Sequence, residues 1–188
     1  ATASVVVGDT FTLSRTSIQG RATVTNYDSS RSWNASGVTG GSYALAGLIN
    51  WDITMFNSQA AGGSLKTFCV EVNEGFPDDP IQYTIVDPTG VPEESPPGNM
   101  SSNQSQMMQD LYSRYWDDVM SSAEESWTSY ADEAAAFQLV IWEISHENFS
   151  DTSDLSVMKS ELSITLGAMA ITDYFSSDVL NDANAMIA

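Results

Sequence analysis

Two side chains stand out for the chemistry they could do. One is the thiol of Cys69, the single cysteine in 188 residues; the other is the carboxamide of Gln138, inside the apolar run AAAFQLVIW at 134–142. A thiol becomes a nucleophile on deprotonation, from a free pKa of about 8.5. With no second cysteine, an intramolecular disulfide is excluded. What is left is an inert small hydrophobe, half of an intermolecular disulfide, or a reactive group. Alternation along Lys66-Thr67-Phe68-Cys69-Val70-Glu71-Val72 puts Phe68, Val70 and Val72 on one strand face and Thr67, Cys69 and Glu71 on the other, so the thiol faces away from the main apolar row. On a helix, Gln138 has Ala134, Ala135, Ile141 and Trp142 as its neighbours one turn away, and its amide projects from the middle of an apolar face. Burying an unpartnered amide costs roughly 2–7 kcal/mol, so Gln138 must meet either a hydrogen-bonding partner or a bond-forming one.

The elements that must position these groups divide the chain in two. Residues 3–7, 10–13, 22–25, 43–55, 66–72 and 83–86 are β-branched or aromatic runs separated by Gly- and Asn/Ser-rich turns, which predicts antiparallel strands. Prolines at 88, 92, 96 and 97 make 87–99 a loop. Met107, Met108, Leu111, Tyr115 and Val119 then follow helical spacing, predicting a helix from about 102 to 121. A second helix, carrying Gln138, is expected to start near Asp132, with Ser129 or Asp132 as its cap and Glu133 in its first turn. Asp151 to Asp154 reads as a polar loop, Leu162, Ile164 and Leu166 as a short strand, and Ser177 as the cap of a last helix. The fold class expected is α+β: a β-rich sandwich or barrel body with an inserted helical subdomain and a helix bearing Gln138. Residues 1–188 form one domain, with the body at about 1–86 and 155–188 and the helical part at about 100–150.

Composition narrows the function classes. The 42% hydrophobic content supports a sizeable core. Against 6 Lys+Arg stand 25 Asp+Glu, a formal net charge of -19, so the surface repels phosphates and anionic lipid heads and attracts cationic groups such as amines. Nucleic acid is excluded as a partner on this ground. No run reaches the roughly 18–20 apolar residues of a membrane span. Ser/Thr/Asn/Gly-rich loops, five Trp and seven Tyr give an extracellular character, and the termini read as trimmed of a leader and a downstream anchor. Asp78-Asp79 and the 151–154 loop lack the spacing and glycine of a calcium loop, so no metal and no cofactor is expected.

Phe68-Cys69-Val70, together with Ala136-Phe137-Gln138-Leu139-Val140-Ile141-Trp142, resembles the paired motif of bacterial surface-protein thioester domains. In that family an aromatic or aliphatic residue precedes the cysteine, and the glutamine lies in an apolar helix followed by a hydrophobic-Trp pair. The runs TFCVEVN and EAAAFQLVIWEI are similar to the version found in exported proteins with a C-terminal sorting and anchoring signal. The resemblance spans about residues 43–166 and is specific at the two motifs alone.

It implies an internal thioester between Cys69 and Gln138, formed when the thiolate attacks the carboxamide and ammonia leaves. Phe68, Phe137, Ile141 and Trp142 would then form an apolar pocket that excludes water. The bond would be opened once, by an amine, that of a lysine, on a protein of a target cell or matrix. The chain would thus be a secreted or cell-surface bacterial adhesin and a monomer, a covalent binder and not a turnover enzyme. His146, about 80° around an ideal helix from Gln138, and Glu71, on the Cys69 strand face, are the candidates for proton transfer. The alternatives are a non-covalent adhesion or carbohydrate-binding β-sandwich, with Trp33, Trp51 and Trp127 stacking on sugars beside an inert cysteine, and a thiol hydrolase pairing Cys69 with His146.

Overall fold

The computed structural model describes residues 5–27, 42–72, 80–93, 98–122, 127–173 and 177–188. Its strands are β1 (Thr10–Tyr27), β2 (Ser42–Phe56), β3 (Gln59–Ala60), β4 (Ser64–Thr67), β5 (Ile81–Thr84) and β6 (Ile171–Asp173), and its helices are α1 (Ser102–Ser122), α2 (Trp127–His146), α3 (Leu155–Glu161) and α4 (Ser177–Ile187). Among the described residues the fold is mixed, with a curled antiparallel sheet and four α-helices.

β1 and β2 form the spine of the sheet. They pair antiparallel from Phe11↔Phe56 to Tyr27↔Ser42, with register shifts at Thr12/Leu13, Arg15/Ser17 and Gln19/Thr23. Each shift adds local twist and bends the ladder, so a long pair of strands curls instead of lying flat. The segments 10–13 and 22–25, expected as two strands, belong to one. β5 pairs with the start of β1, β6 with its end, and β3 and β4 with β2. The β2–β3 turn places Asn57 and Ser58 at φ of 48° and 64°, the left-handed pair a two-residue hairpin needs. Side-chain bonds offset the cost of that conformation at Asn57, which accepts from Thr10 N–H at 2.8 Å and donates to Asp9 Oδ1 at 2.9 Å. All six strands lie in one sheet; neither a second sheet nor a closing strand pair is found among the described residues.

Alternation gives the sheet two faces. Ala46 and Leu48 of β2 join the main core with the helices, while Ile49 and Trp51 join Leu13 in a smaller cluster on the other side. α2 lies at the centre of the main core, against β1 and β2 on one side and α1 and α4 on others. Its residues 134–142 are at most 2% exposed, which explains why the run is apolar all round. α4 presents Val179, Ala183 and Met186 at helical spacing to that core. Arg114 Nη2–H of α1 donates to Met186 O at 3.0 Å and Tyr115 O–H to Ala185 O at 3.3 Å, which satisfies carbonyls at the end of α4 and puts a cation at its negative pole.

Several expectations are corrected. Of residues 3–7, the described part, 5–7, is outside any strand and exposed. α2 begins at Trp127, so Ser129 and Asp132 lie within it and its true cap falls outside the described residues. Leu162, Ile164 and Leu166 form no strand; the amides of Ser163 and Ala168 are taken by the carboxylates of Glu143 in α2 and of Glu147 just after it. Residues 155–188 return one three-residue strand and two helices, and α3, capped by Asp154, stands where the sequence suggested no helix. The helices share one core with Ala46 and Leu48 of the sheet. No described helix is long and apolar enough to cross a membrane.

Candidate functional site

β4 ends at Thr67, so the strand expected over 66–72 stops short and Cys69 lies two residues beyond it. The reason is at Cys69 itself. Its N–H donates to Gln138 Oε1 at 2.9 Å, and its carbonyl accepts from Gln138 Nε2 at 2.7 Å. The side-chain amide of an α2 residue thus takes both main-chain groups that a neighbouring strand would have taken. Gln138 is 1% exposed, and the sequence requirement that its buried amide find a partner is met entirely at Cys69.

The side chains around this clamp divide between the two faces as alternation predicts. Phe68 and Val72 are buried in the main core, whereas Cys69, half-buried, packs on the smaller cluster of Leu13, Ile49 and Trp51. Phe68 meets Phe137, the residue before Gln138, with ring centroids 4.9 Å apart, and meets Trp116 of α1 edge-on at 6.2 Å. Tyr112 stacks on Trp116 at 5.5 Å and stands edge-on to Phe137 at 5.0 Å. Burial pushes the Tyr112 phenol up to about 12, so it is neutral at any physiological pH. Phe68, Phe137, Ile141 and Trp142, the four expected wall residues, are all buried in this core. Tyr112 and Trp116 extend the wall. The helical stripe read from the sequence does not include them, and nothing in the sequence ties them to position 69.

The two candidates for proton transfer stand differently. Glu71 meets the thiol through its main chain: Cys69 S–H donates to Glu71 O at 2.8 Å, while the Glu71 carboxylate accepts from Glu93 N–H at 2.7 Å. His146 is 0% exposed, with Nδ1 2.8 Å from Ser145 Oγ, and Ser145 Oγ lies 3.4 Å from the carbonyl of Val70, next to Cys69. His146 therefore reaches the cysteine segment by way of Ser145, a residue to which no sequence motif points. Nearby on α2, burial holds the Glu143 carboxyl well above the usual carboxylate range, against the Ser163 N–H that bonds it at 2.7 Å, and the charge of Glu147 pushes it further up. Glu147 is raised by burial too, although Ala168 N–H bonds it at 2.9 Å.

Chemically, the clamp puts a main-chain donor on the carbonyl oxygen of Gln138. The Cys69 N–H is aimed at the oxygen on which negative charge would develop if sulfur added to the Gln138 carbonyl carbon, the position where a fixed donor is most effective. The bond from Nε2 fixes the plane of the amide. The thiol is turned to Glu71 O, so attack requires the sulfur to leave that acceptor.

The other features have structural roles. Asp151 accepts from Ser153 N–H at 2.8 Å in a turn, and Asp154 caps α3. Among the described residues no three His, Cys, Asp or Glu side chains are grouped to hold a metal ion. Trp51, a sugar-stacking candidate in the alternative reading, is 5% exposed and donates from Nε1 to Thr67 Oγ1 at 2.7 Å, so its ring is packed, not presented. Trp33, Asp78-Asp79 and the side chain of Trp127 lie outside the described residues. Comparison with protein-family models, curated proteins and solved structures finds no match to the chain.

Proposed function

We propose that the chain is a covalent attachment module in which Cys69 and Gln138 condense to an internal thioester, later opened by an amine on a surface target. One observation carries this reading: the carboxamide of Gln138, from the centre of a buried helix, is held against the main chain of the protein's one cysteine by bonds of 2.9 and 2.7 Å. Holding reactants in near-attack geometry can supply on the order of 7–11 kcal/mol, which an amide electrophile needs. In forming the bond, the sulfur adds to the Gln138 carbonyl carbon, the carbon–nitrogen bond breaks, and the thiol proton leaves with the nitrogen as ammonia. The aromatic wall of Phe68, Phe137 and Trp116 slows hydrolysis by keeping water from the acyl carbon. The two sequence motifs resemble those of bacterial surface thioester domains, which supports the same reading and with it a secreted or cell-surface, monomeric, single-turnover binder of amine-bearing proteins. The curled antiparallel sheet would be the β-rich body of such a domain.

The test is the intact mass of freshly purified protein. A thioester leaves the wild type short by one ammonia, while Cys69→Ala and Gln138→Ala have their full masses. Incubation with a primary amine then adds that amine at residue 138 alone. A second reading is favoured by the same two hydrogen bonds: they satisfy the buried amide with no covalent bond, so that Gln138 is a staple between α2 and the end of β4 in a non-covalent adhesion domain. Full mass in the wild type, with a thiol that reacts with maleimide on unfolding, decides for the staple.

A further inference from the structure

We propose that Leu65 and Tyr83, backed by Trp51, form the subsite through which the nucleophile reaches the acyl–sulfur bond, and that it selects primary amines carried on an aliphatic stem. This rests on the thioester reading above. Gln138 is 1% exposed and sealed on its own side by the helical core, so approach from α2 is closed. Cys69, by contrast, is half-buried and packs on the outer-face cluster. In that cluster Leu13, Ile49 and Trp51 are at most 5% exposed and form the floor, while Leu65 and Tyr83 are partly open to solvent. Leu65 and Cys69 both pack against that cluster, which puts both on one face. The Trp51 indole is pinned to Thr67, midway between them, by its 2.7 Å bond, and Tyr83 stands edge-on to that indole with centroids 5.7 Å apart. Cys69 therefore sits beside an aliphatic and aromatic surface whose shape is set by a fixed indole.

Such a surface discriminates among nucleophiles. Water and hydroxylic groups gain nothing from it, whereas an alkyl stem of several methylenes is desolvated along Leu65 and the Tyr83 ring. The ammonium form is drawn in by the net charge of -19 and by the face of an aromatic ring. It loses a proton to the solvent before reaction. The neutral nitrogen then adds to the acyl carbon of residue 138, the carbon–sulfur bond breaks, and the second nitrogen proton passes to sulfur, leaving an amide and the Cys69 thiol.

The experiment uses the full chain and follows adduct formation by intact mass, with methylamine and n-butylamine supplied at equal concentrations of neutral amine. The wild type is expected to react at least about tenfold faster with n-butylamine. Tyr83→Ala and Leu65→Ala should each reduce that ratio severalfold, and Tyr83→Phe, which keeps the ring, should preserve it. A role confined to stability would slow both amines alike and leave the ratio unchanged. Two partly exposed positions are used so that failure of one variant to fold leaves the other decisive. Equal wild-type rates, or an unchanged ratio in the folded alanine variants, overturn this proposal alone. A wild type at full mass overturns the thioester reading, and this proposal with it.

Discussion

The carboxamide of Gln138 holds Cys69 at both main-chain groups, accepting from its N–H at 2.9 Å and donating to its carbonyl at 2.7 Å. A helix side chain takes the place of a β-ladder at the point where β4 ends, and it joins the helical core to the sheet. The hydrogen bonds are therefore structural as well as chemical, and the two contributions can be separated.

In a Cys69→Ala background no thioester can form, yet the main-chain clamp remains. Replacing Gln138 by Leu in that background removes both hydrogen bonds to the main chain of residue 69, at a cost of about 2–4 kcal/mol. Urea denaturation of the single and double variants measures it; equal midpoints would mean the clamp contributes nothing to stability.

Glu143 is 1% exposed, accepts from Ser163 N–H through Oε1, and its Oε2 is buried without a hydrogen-bond partner. Burial raises its carboxyl, so folding favours the neutral form. The stability this brings is complete below the unfolded value of about 4.3 and is lost as pH rises through the higher folded value. Glu143→Gln keeps an acceptor for Ser163 and removes the titration. Its urea midpoint should gain on that of the wild type as pH rises from about 4 toward neutrality. A difference that stays constant with pH would show that Glu143 does not titrate in this window.

Gly167 has φ of +104°, and a Cβ there would overlap Oε2 of Glu147, the carboxylate that collects Ala168 N–H. Gly167→Ala therefore combines backbone strain, about 1–3 kcal/mol, with displacement of a buried acceptor. At Gly8, with φ of +95°, a Cβ would meet nothing within 4 Å, so Gly8→Ala carries the strain alone. Thermal melting should show the larger loss at 167, and equal losses would deny that Glu147 is held there.

At the start of α1, Ser101 Oγ accepts from Gln104 N–H at 3.2 Å while Ser101 N–H donates to Gln104 Oε1 at 2.8 Å, a reciprocal capping box. Gln104 Nε2 also donates to Ile144 O near the end of α2, at 2.9 Å. Ser101→Ala should cost about 1 kcal/mol. Gln104→Ala should cost more, because it also strips a buried carbonyl of its partner. A reversed order in chemical denaturation would contradict the bridge to α2.

Much of the local structure was legible in the sequence. The stripe of Met107, Met108, Leu111 and Val119 marked α1, the wholly apolar surroundings of Gln138 marked a buried helix, and alternation at 67–72 separated Cys69 from Phe68 and Val72. These features depend on neighbours within one or two turns or strand repeats, so the order of residues suffices. The end of β4 was not legible, because it depends on Gln138 arriving from far along the chain to take the Cys69 main chain. Nor was the turn at 162–169, where apolar alternation suggests a strand but the carboxylates of Glu143 and Glu147 take the amides.

The site shows the same division. The sequence by itself determined that a lone thiol stands off the main apolar row and that a buried amide must find a partner, since side-chain periodicity and the cost of desolvation are local properties. Only the tertiary structure decided that Gln138 bonds the main chain of Cys69, that the thiol rests on Glu71 O, and that His146 reaches the segment through Ser145. Those are distances between elements, set by how α2 packs across the curled sheet, and no spacing within the chain encodes them.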